Sequence, residues 1–299
     1  GENEPQHTHL IKPQNKDGYG FDALWNDDFH HSARVAATGR AAAYFSDYNG
    51  GIQEFISNLK YSFLYQGQYY LWQNKPRGTP TYGISAKQFI HYLQNHDQIA
   101  NSGRGKRLHQ LTQPALMRAL TTILLLGPQT PLIFQGQEFG ATTPFLYFAD
   151  NPQELADAVA KGRKEFLHQF PYLAQPEMQS YLSRPDNPST FTQCKLNFSE
   201  REKNYEIYQL HKDLLQLRHT DKVFNGQDYS HIDGAIISSS VFLMRFFSLK
   251  HNDDRLLIVN FGRDYEMTSV AEPLFAPHIN HDWTLLWSSE SPHYGGHGS

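Results

Sequence analysis

The sequence contains a single cysteine, Cys194, among its 299 residues. One cysteine excludes an internal disulfide and a metal site built from clustered cysteines, and it is typical of a reducing, cytoplasmic compartment. No run of about 18 apolar residues is present, so we expect no membrane-spanning helix. Lysine and arginine total 26 against 30 aspartates and glutamates, a formal charge of −4. This balance leaves no basic surface for nucleic acid or a membrane.

Aromatic residues, by contrast, are plentiful: 17 Tyr, 20 Phe and 4 Trp make up 14% of the chain. Aromatic faces stack on sugar rings while amide groups bind sugar hydroxyls, although the same rings also fill ordinary cores. Two adjacent histidines, His30 and His31, suggest a metal site. Neighbours on a helix point apart, however, and no third ligand is spaced to match. We therefore expect neither a metal nor another cofactor.

Short apolar runs alternate with helical segments over the first two thirds of the chain. The predicted strands are 21–25, 87–93 and 132–134, and the predicted helices are 29–38, 51–64, 115–126, 152–167 and 200–218. Thr112 is expected to cap the helix at 115–126, with Pro114 in its first turn. Strands followed by helices in this order indicate βα repeats around a parallel sheet, which is an α/β fold.

The pattern changes after about Asp221. Four short apolar runs separated by polar turns predict strands at 236–237, 241–247, 256–261 and 283–287. Short strands with turns between them are typical of an all-β domain. We therefore expect a first domain over residues 1–221 and a second, β-rich domain over 222–299.

Polar residues occur where the predicted parallel strands end. They are Glu2, Asn26-Asp27-Asp28, Asn95-His96-Asp97-Gln98 and Gln137-Glu138. By itself, Asn95-His96-Asp97-Gln98 could be a polar turn. In a βα barrel, however, all four groups would converge on one face. Carboxylates gathered in an aromatic cleft are the apparatus of glycoside hydrolysis.

These blocks resemble the α-amylase superfamily of glycoside hydrolases. The residues that carry the resemblance are Gly1–Glu4, Gly18–His31, Gln94–Gln98 and Gln137–Phe148. The Asn-His-Asp element marks the superfamily, whereas Trp25–His31 and Thr143–Phe148 are narrower. They resemble the group that cleaves the α-1,4 bond joining a malto-oligosaccharide to trehalose. The resemblance implies the C-terminal half of a (β/α)8 barrel, strands five to eight, over residues 1–221. A truncated β-sandwich would follow over 222–299.

The resemblance also implies roles for two carboxylates. Glu2 matches the acid/base of the family, and Asp97 matches the aspartate after strand seven that stabilises the transition state. No residue matches the nucleophile, which the family carries after strand four. We therefore expect that the chain begins past the nucleophile and is inactive alone. Its expected partners are the N-terminal half of its own chain and a malto-oligosaccharide ending in trehalose.

Further residues are substrate-binding candidates because they lie in the same blocks. They are Trp25, Asp28, Asn95, His96, Gln98, Glu138 and Phe145. Asp28 is equally suited to cap a helix. Arg104 and Arg107 are either sugar ligands or surface charges.

Two other functions remain open. A glycogen branching enzyme or another α-glucan transferase uses the same superfamily residues, although the Trp25–His31 block argues against it. A non-catalytic carbohydrate-binding relative is the second alternative, and the presence of both Glu2 and Asp97 argues against that.

Overall fold

The computed structural model describes residues 1–226, 228–249, 253–267 and 270–298. The strands are β1 Leu24–Trp25, β2 Tyr69–Tyr70, β3 Lys75–Pro76, β4 Phe89–Tyr92, β5 Thr130–Leu132, β6 Ile232–Ile236, β7 Val241–Phe246 and β8 Arg255–Asn260. The helices are α1 Asp27–Thr38, α2 Ile52–Tyr61, α3 His96–Asn101, α4 Pro114–Leu126, α5 Gln153–Leu167, α6 Pro176–Ser180, α7 Pro188–Thr192, α8 Glu200–Lys203, α9 Tyr205–Thr220 and α10 Lys222–Gly226. Within these ranges no helix is long and apolar enough to cross a bilayer.

A parallel sheet organises the first part of the chain. Its strand order is β1-β4-β5, with Leu24 opposite Phe89 and Ile90 opposite Thr130. Helix α1 follows β1, and α3 and α4 follow β4, so the predicted α/β alternation is confirmed. The strand predictions at 21–25, 87–93 and 132–134 overlap the three strands but are offset at their ends.

The first residue continues this sheet beyond β1. The amino group of Gly1 donates to Ala23 O at 2.7 Å, and Trp25 N donates to Gly1 O at 3.0 Å. Two such bonds around Leu24 are the pattern of a parallel pair. Glu2 therefore leaves the sheet at the same edge as the residues that follow β1.

Helix α4 forms the centre of the core. Its Leu120, Ile123 and Leu125 are fully buried, because the helix packs against α9 and α1. A helix that is apolar on most of its faces is expected in such an interior position. Gln113, rather than the predicted Thr112, occupies the N-cap, and its side chain accepts no capping hydrogen bond from the part of the chain that the structure describes.

The same core extends into an antiparallel sheet of order β6-β7-β8. All six residues of β7 are buried, and the ring of Phe242 stacks on Phe55 of α2 at 6.5 Å. Lys60 of α2 pairs with Asp233 of β6 at 2.5 Å. The antiparallel sheet is thus packed directly against helices of the parallel sheet.

The predicted strand at 283–287 is wrong. This segment forms no backbone ladder, and Leu285 is 79% exposed. Its tryptophans are held through their indole nitrogens instead: Trp283 Nε1 donates to Phe275 O at 2.8 Å, and Trp287 Nε1 donates to Tyr294 Oη at 3.0 Å. An apolar pattern predicts a strand without showing whether a partner strand is available.

A close contact between two loops fixes Phe145. Phe145 N donates to Gly105 O at 3.0 Å, and Gly105 has φ +63°. A Cβ at this position would lie 2.6 Å from Phe145 O. Gly105 is therefore required both for its left-handed backbone and for the approach of the second loop.

We predict that Gly105→Ala lowers the free energy of unfolding by about 3 kcal/mol, because backbone strain and a steric clash add together. Gly83→Ala is the matched control. Gly83 also has positive φ, but nothing lies within 4 Å of the place that a Cβ would occupy, so only about 1 kcal/mol is expected from strain. Denaturant unfolding of both variants measures the difference. Equal losses would show that the Gly105–Phe145 contact is not constrained.

Candidate active site

Two asparagines cap the helices that follow the parallel strands. Asn26 Oδ1 accepts from Asp28 N at 3.0 Å at the start of α1, and its Nδ2 contacts His91 Nε2 at 2.8 Å. Asn95 Oδ1 accepts from Asp97 N at 3.0 Å and from Gln98 N at 3.1 Å at the start of α3. Both asparagines are buried. The structure therefore gives Asn95 a capping role, because its oxygen is already occupied.

His96 and Asp97 stand on the exposed first turn of α3. Their side chains are 51% and 50% exposed, and His96 Nε2 lies 3.7 Å from Asp97 Oδ1. Gln98 follows, half-buried, and its buried Oε1 accepts no hydrogen bond from the described residues. An accessible carboxylate at a helix N-terminus is well placed to receive polar groups of a ligand.

Adjacent aspartates at the start of α1 have different environments. Asp28 is fully buried. Its Oδ1 accepts from Tyr48 Oη at 2.6 Å, and its Oδ2 accepts from Leu64 N at 2.7 Å and Tyr65 N at 3.0 Å. Neither of the roles predicted for Asp28 matches this geometry: Asn26 is the cap, and no Asp28 oxygen is free for a sugar.

Asp27, which belongs to the predicted Asn26-Asp27-Asp28 group but was given no separate role there, faces the sheet edge. Its side chain is 17% exposed, and its Oδ1 accepts a short hydrogen bond from Tyr92 Oη. Burial raises the pKa of Asp27 to about 6. The hydrogen bond from Tyr92 and the charge of Arg77 lower that pKa, whereas the charges of Asp28 and Glu2 raise it. Desolvation outweighs the two lowering effects, since the ionised form is disfavoured inside the protein.

Arg77 links the carboxylates of this edge. Its guanidinium lies 2.7 Å from Glu4 Oε1, 3.5 Å from Asp28 Oδ1 and 3.7 Å from Asp27 Oδ2, and its side chain is buried. It also lies 4.9 Å from the ring of Tyr70. Burial would lower the pKa of Arg77, but the surrounding tyrosines and aspartates raise it above its ordinary value. The arginine therefore stays charged.

Aromatic rings join the two carboxylate groups. Trp25 lies 5.4 Å from Tyr92 and 6.1 Å from His96, measured between ring centroids. The pKa of Tyr44 is raised by burial and by the carboxylates of both Asp27 and Asp97. Asp27, Asp97 and Trp25 therefore belong to one region of the surface.

Glu2 is exposed at this same edge. Its charge acts on both Asp27 and Tyr92. The structure thus brings together Glu2, Asp27, Tyr92, Trp25 and His96 around the ends of β1 and β4. This proximity follows from the parallel register, because the carboxyl ends of parallel strands share one edge.

The loop after β5 forms the neighbouring wall. Glu138 lies half-buried in a 3-10 turn, and Phe145 contacts Phe134 at 5.0 Å between ring centroids. Arg107 holds this loop: its Nε donates to Thr143 O and its Nη1 to Gln135 O, both at 2.7 Å. Arg107 is fully buried. It is therefore neither a surface charge nor exposed to a sugar, whereas Arg104 is exposed beside Tyr181.

The histidines next to Asp28 point into the core. His30 Nδ1 contacts Leu93 O at 2.8 Å, and His30 and His31 pack against the ring of Phe45. Burial lowers the pKa of His30 to about 3 and lowers the pKa of His31 as well. Both rings are neutral packing groups at physiological pH.

Arg163 of α5 is a second residue that sequence reasoning missed. Its Nη1 donates to Asn101 Oδ1 at 2.7 Å at the end of α3, and its guanidinium lies 4.7 Å from the ring of Tyr147. Burial lowers the pKa of Arg163, and the charge of Asp97 opposes that shift. Neither Arg77 nor Arg163 lies in a recognisable motif, because each reaches the site from a segment distant in sequence.

The chain is similar to several known proteins. No family model matches the chain. A malto-oligosyltrehalose trehalohydrolase of Deinococcus radiodurans is 34% identical over 248 residues, covering 82% of this chain and 40% of the relative. The enzyme of the same name from Saccharolobus solfataricus is 32% identical over 217 residues, covering 72% of this chain and 35% of the relative. A solved structure of a putative alpha amylase from Salmonella typhimurium matches with a TM-score of 0.74 and 28% identity, covering 87% of this chain and 44% of that one.

The fold and the similarity to these proteins place the chain with the α-amylase-type glycoside hydrolases. Within that class it belongs to the family of the malto-oligosyltrehalose trehalohydrolases. The chain spans 35% to 40% of the length of the curated relatives that it matches.

The environment of Asp27 predicts a pH-dependent stability. Its pKa rises from 3.8 to about 6 on folding. The contribution of the Asp27 carboxyl to the free energy of unfolding is therefore complete below about pH 4. It is lost as the pH rises through about 6, a change of about 3 kcal/mol. Asparagine resembles the protonated carboxyl. The unfolding free energy of Asp27→Asn minus that of wild type should thus increase between pH 4 and pH 7.

Chemical denaturation across this pH range measures the difference. Asp22→Asn is the control, because Asp22 is exposed at the opposite end of β1. A difference for Asp27→Asn that does not change with pH would contradict the prediction.

Proposed function

We propose that the protein takes part in the hydrolysis of the α-1,4 bond that joins a malto-oligosaccharide to trehalose, with release of trehalose. The observation that carries this proposal is that Glu2 and Asp97 follow parallel strands at one edge of the sheet, where the ring of Trp25 lies beside His96. The similarity to proteins named malto-oligosyltrehalose trehalohydrolase supports the choice of substrate.

Glu2 is the proposed acid/base. A protonated carboxyl gives its proton to the leaving glycosidic oxygen, and the resulting carboxylate then takes a proton from the attacking water. Glu2 is suited to this role because it is exposed at the end of the sheet and makes no hydrogen bond to another described side chain.

Asp97 is the proposed stabiliser of the transition state. As a carboxylate it accepts hydrogen bonds from sugar hydroxyls, which strengthen as positive charge develops on the ring. Its side chain is half-exposed on the first turn of α3, where a ligand can reach it. His96 is the proposed donor to the same sugar, and Trp25 offers a ring face against which a sugar stacks. Glu138 and Phe145 line the adjoining wall.

A retaining mechanism also needs a nucleophile about 5 to 5.5 Å from the acid/base. We place that carboxylate outside residues 1–299. The three parallel strands found among the described residues, with the short extension at Gly1, do not close a barrel, which requires eight strands. Residues 1–221 are proposed as half of such a barrel and 222–299 as a β-domain packed against it. The single cysteine supports a cytoplasmic setting.

We expect the 299-residue chain to release no trehalose from maltotriosyl trehalose. A longer protein that contains this chain and the remaining barrel strands should release trehalose. In that protein Glu2→Gln or Asp97→Asn should lower kcat by a factor on the order of 10³, while Asp22→Asn leaves it unchanged. Chromatography of the products measures turnover.

Three results would contradict the proposal. Turnover by the 299-residue chain that Asp97→Asn abolishes would show that the nucleophile lies within it. New α-1,6 branches without trehalose would identify a glucan transferase. Sugar binding without any turnover by the longer protein would identify a non-catalytic carbohydrate-binding relative.

A further inference from the structure

We propose that Asp27 is a substrate-binding residue of this site, and that its free oxygen Oδ2 accepts a hydrogen bond from a hydroxyl of the bound α-glucan. This inference rests on the proposed function, and it assigns to Asp27 the contact that sequence reasoning assigned to Asp28. The supporting observations are the hydrogen bonds of the two aspartates and the surroundings of each.

The hydrogen-bonding capacity of Asp28 is used by the protein. Tyr48 occupies one oxygen, and the backbone amides of Leu64 and Tyr65 occupy the other. The side chain has no exposed surface. A sugar hydroxyl would have to displace these partners, and leaving buried amides unpaired costs about 1 to 3 kcal/mol each.

Asp27 retains an acceptor. Its Oδ1 accepts from Tyr92 Oη, but its Oδ2 accepts no hydrogen bond from the described residues. The nearest cation, Arg77 Nη2, lies 3.7 Å from Oδ2, which is beyond hydrogen-bonding distance. The side chain is also 17% exposed. The oxygen thus combines a fixed position with access from outside the protein.

The surroundings of Asp27 suit a sugar. Trp25 precedes it by two residues, and the Trp25 ring is tilted against Tyr92, the residue that holds Asp27. An aromatic face beside a carboxylate provides both surfaces that a glucose unit needs, apolar for the ring and polar for its hydroxyls. A carboxylate accepts a stronger hydrogen bond than a neutral group does.

The charged and titratable groups around Asp27 come from several elements. They are Arg77 after β3, Tyr92 on β4, Asp28 on α1, Tyr44 in the turn after α1, and Glu2 at the sheet edge. Arg77 and Tyr92 favour the ionised carboxyl, whereas burial and the two carboxylates oppose it. As the pH falls, binding that needs the ionised Asp27 carboxyl should therefore begin to weaken at a higher pH than it would with an aspartate of ordinary pKa.

The test measures binding of maltotriosyl trehalose to the 299-residue chain by isothermal titration calorimetry at pH 7.5 and pH 5.0. Asp27→Asn should weaken binding by about tenfold at pH 7.5, the loss of one charge-assisted hydrogen bond. Wild-type affinity should fall towards pH 5.0, and this fall should be smaller in Asp27→Asn. Asp22→Asn, at the other end of β1, should behave like wild type.

A second variant separates binding from a purely structural role. Tyr92→Phe removes the hydrogen bond that favours ionised Asp27, so the midpoint of the pH dependence should move upward. A packing role for this pair would change the thermal stability of the variants without moving that midpoint.

The inference is overturned if Asp27→Asn binds the sugar as wild type does while Asp97→Asn weakens binding, a result that leaves the proposed function intact. It is equally overturned if the pH midpoint is the same in wild type and Tyr92→Phe. If the wild-type chain binds no α-glucan, the inference is overturned for this chain, whereas turnover by the longer protein still decides the proposed function.

Discussion

The geometry of the site depends on one buried cation. Arg77, in the loop after β3, contacts Glu4 near the start of the chain and both aspartates at the start of α1. These groups come from three separate segments of the chain. A buried arginine without carboxylate partners would be strongly unfavourable, and so would the fully buried Asp28 without its donors. Each group is tolerated because the other is present. The result is that the first residues, α1 and the loop after β3 are held at one edge of the parallel sheet.

This constraint separates two aspartates that have the same chemistry. Successive side chains on a helix point about 100° apart, so two neighbouring aspartates can have different surroundings. Asp28 points inward and holds the backbone at residues 64 and 65. Asp27 remains at the surface of the site, where Tyr92 fixes one of its oxygens and leaves the other available. A rigid structural carboxylate thus positions a second carboxylate for binding, which is how supporting contacts commonly orient a functional group.

The core explains how this edge is kept rigid although the parallel sheet is small. Helix α4 packs against α9 and α1, and the same apolar cluster continues through Phe55 to the wholly buried β7. Arg218 of α9 adds hydrogen bonds to the carbonyls of Leu125 and Gln129, on either side of the turn that leads into β5. The polar edge is therefore next to a continuous apolar core. Its loops are fixed individually by the hydrogen bonds of Arg107 and by the Gly105–Phe145 contact.

The sequence by itself determined the alternation of strands and helices, because apolar periodicity and capping residues are local properties. It also identified the strand ends at which Glu2, Trp25, His96 and Asp97 lie, because those residues belong to contiguous motifs. The residues Arg77, Tyr92 and Arg163 could not be found in this way, since each acts on groups encoded far from it. Only the tertiary structure decided that the segment at 283–287 pairs with no strand, that Arg107 is buried, and that Asp27 rather than Asp28 faces outward. The physical reason is the same in each case: burial and hydrogen-bond partners are set by which segments meet in space, and neighbouring residues of one type are indistinguishable until they do.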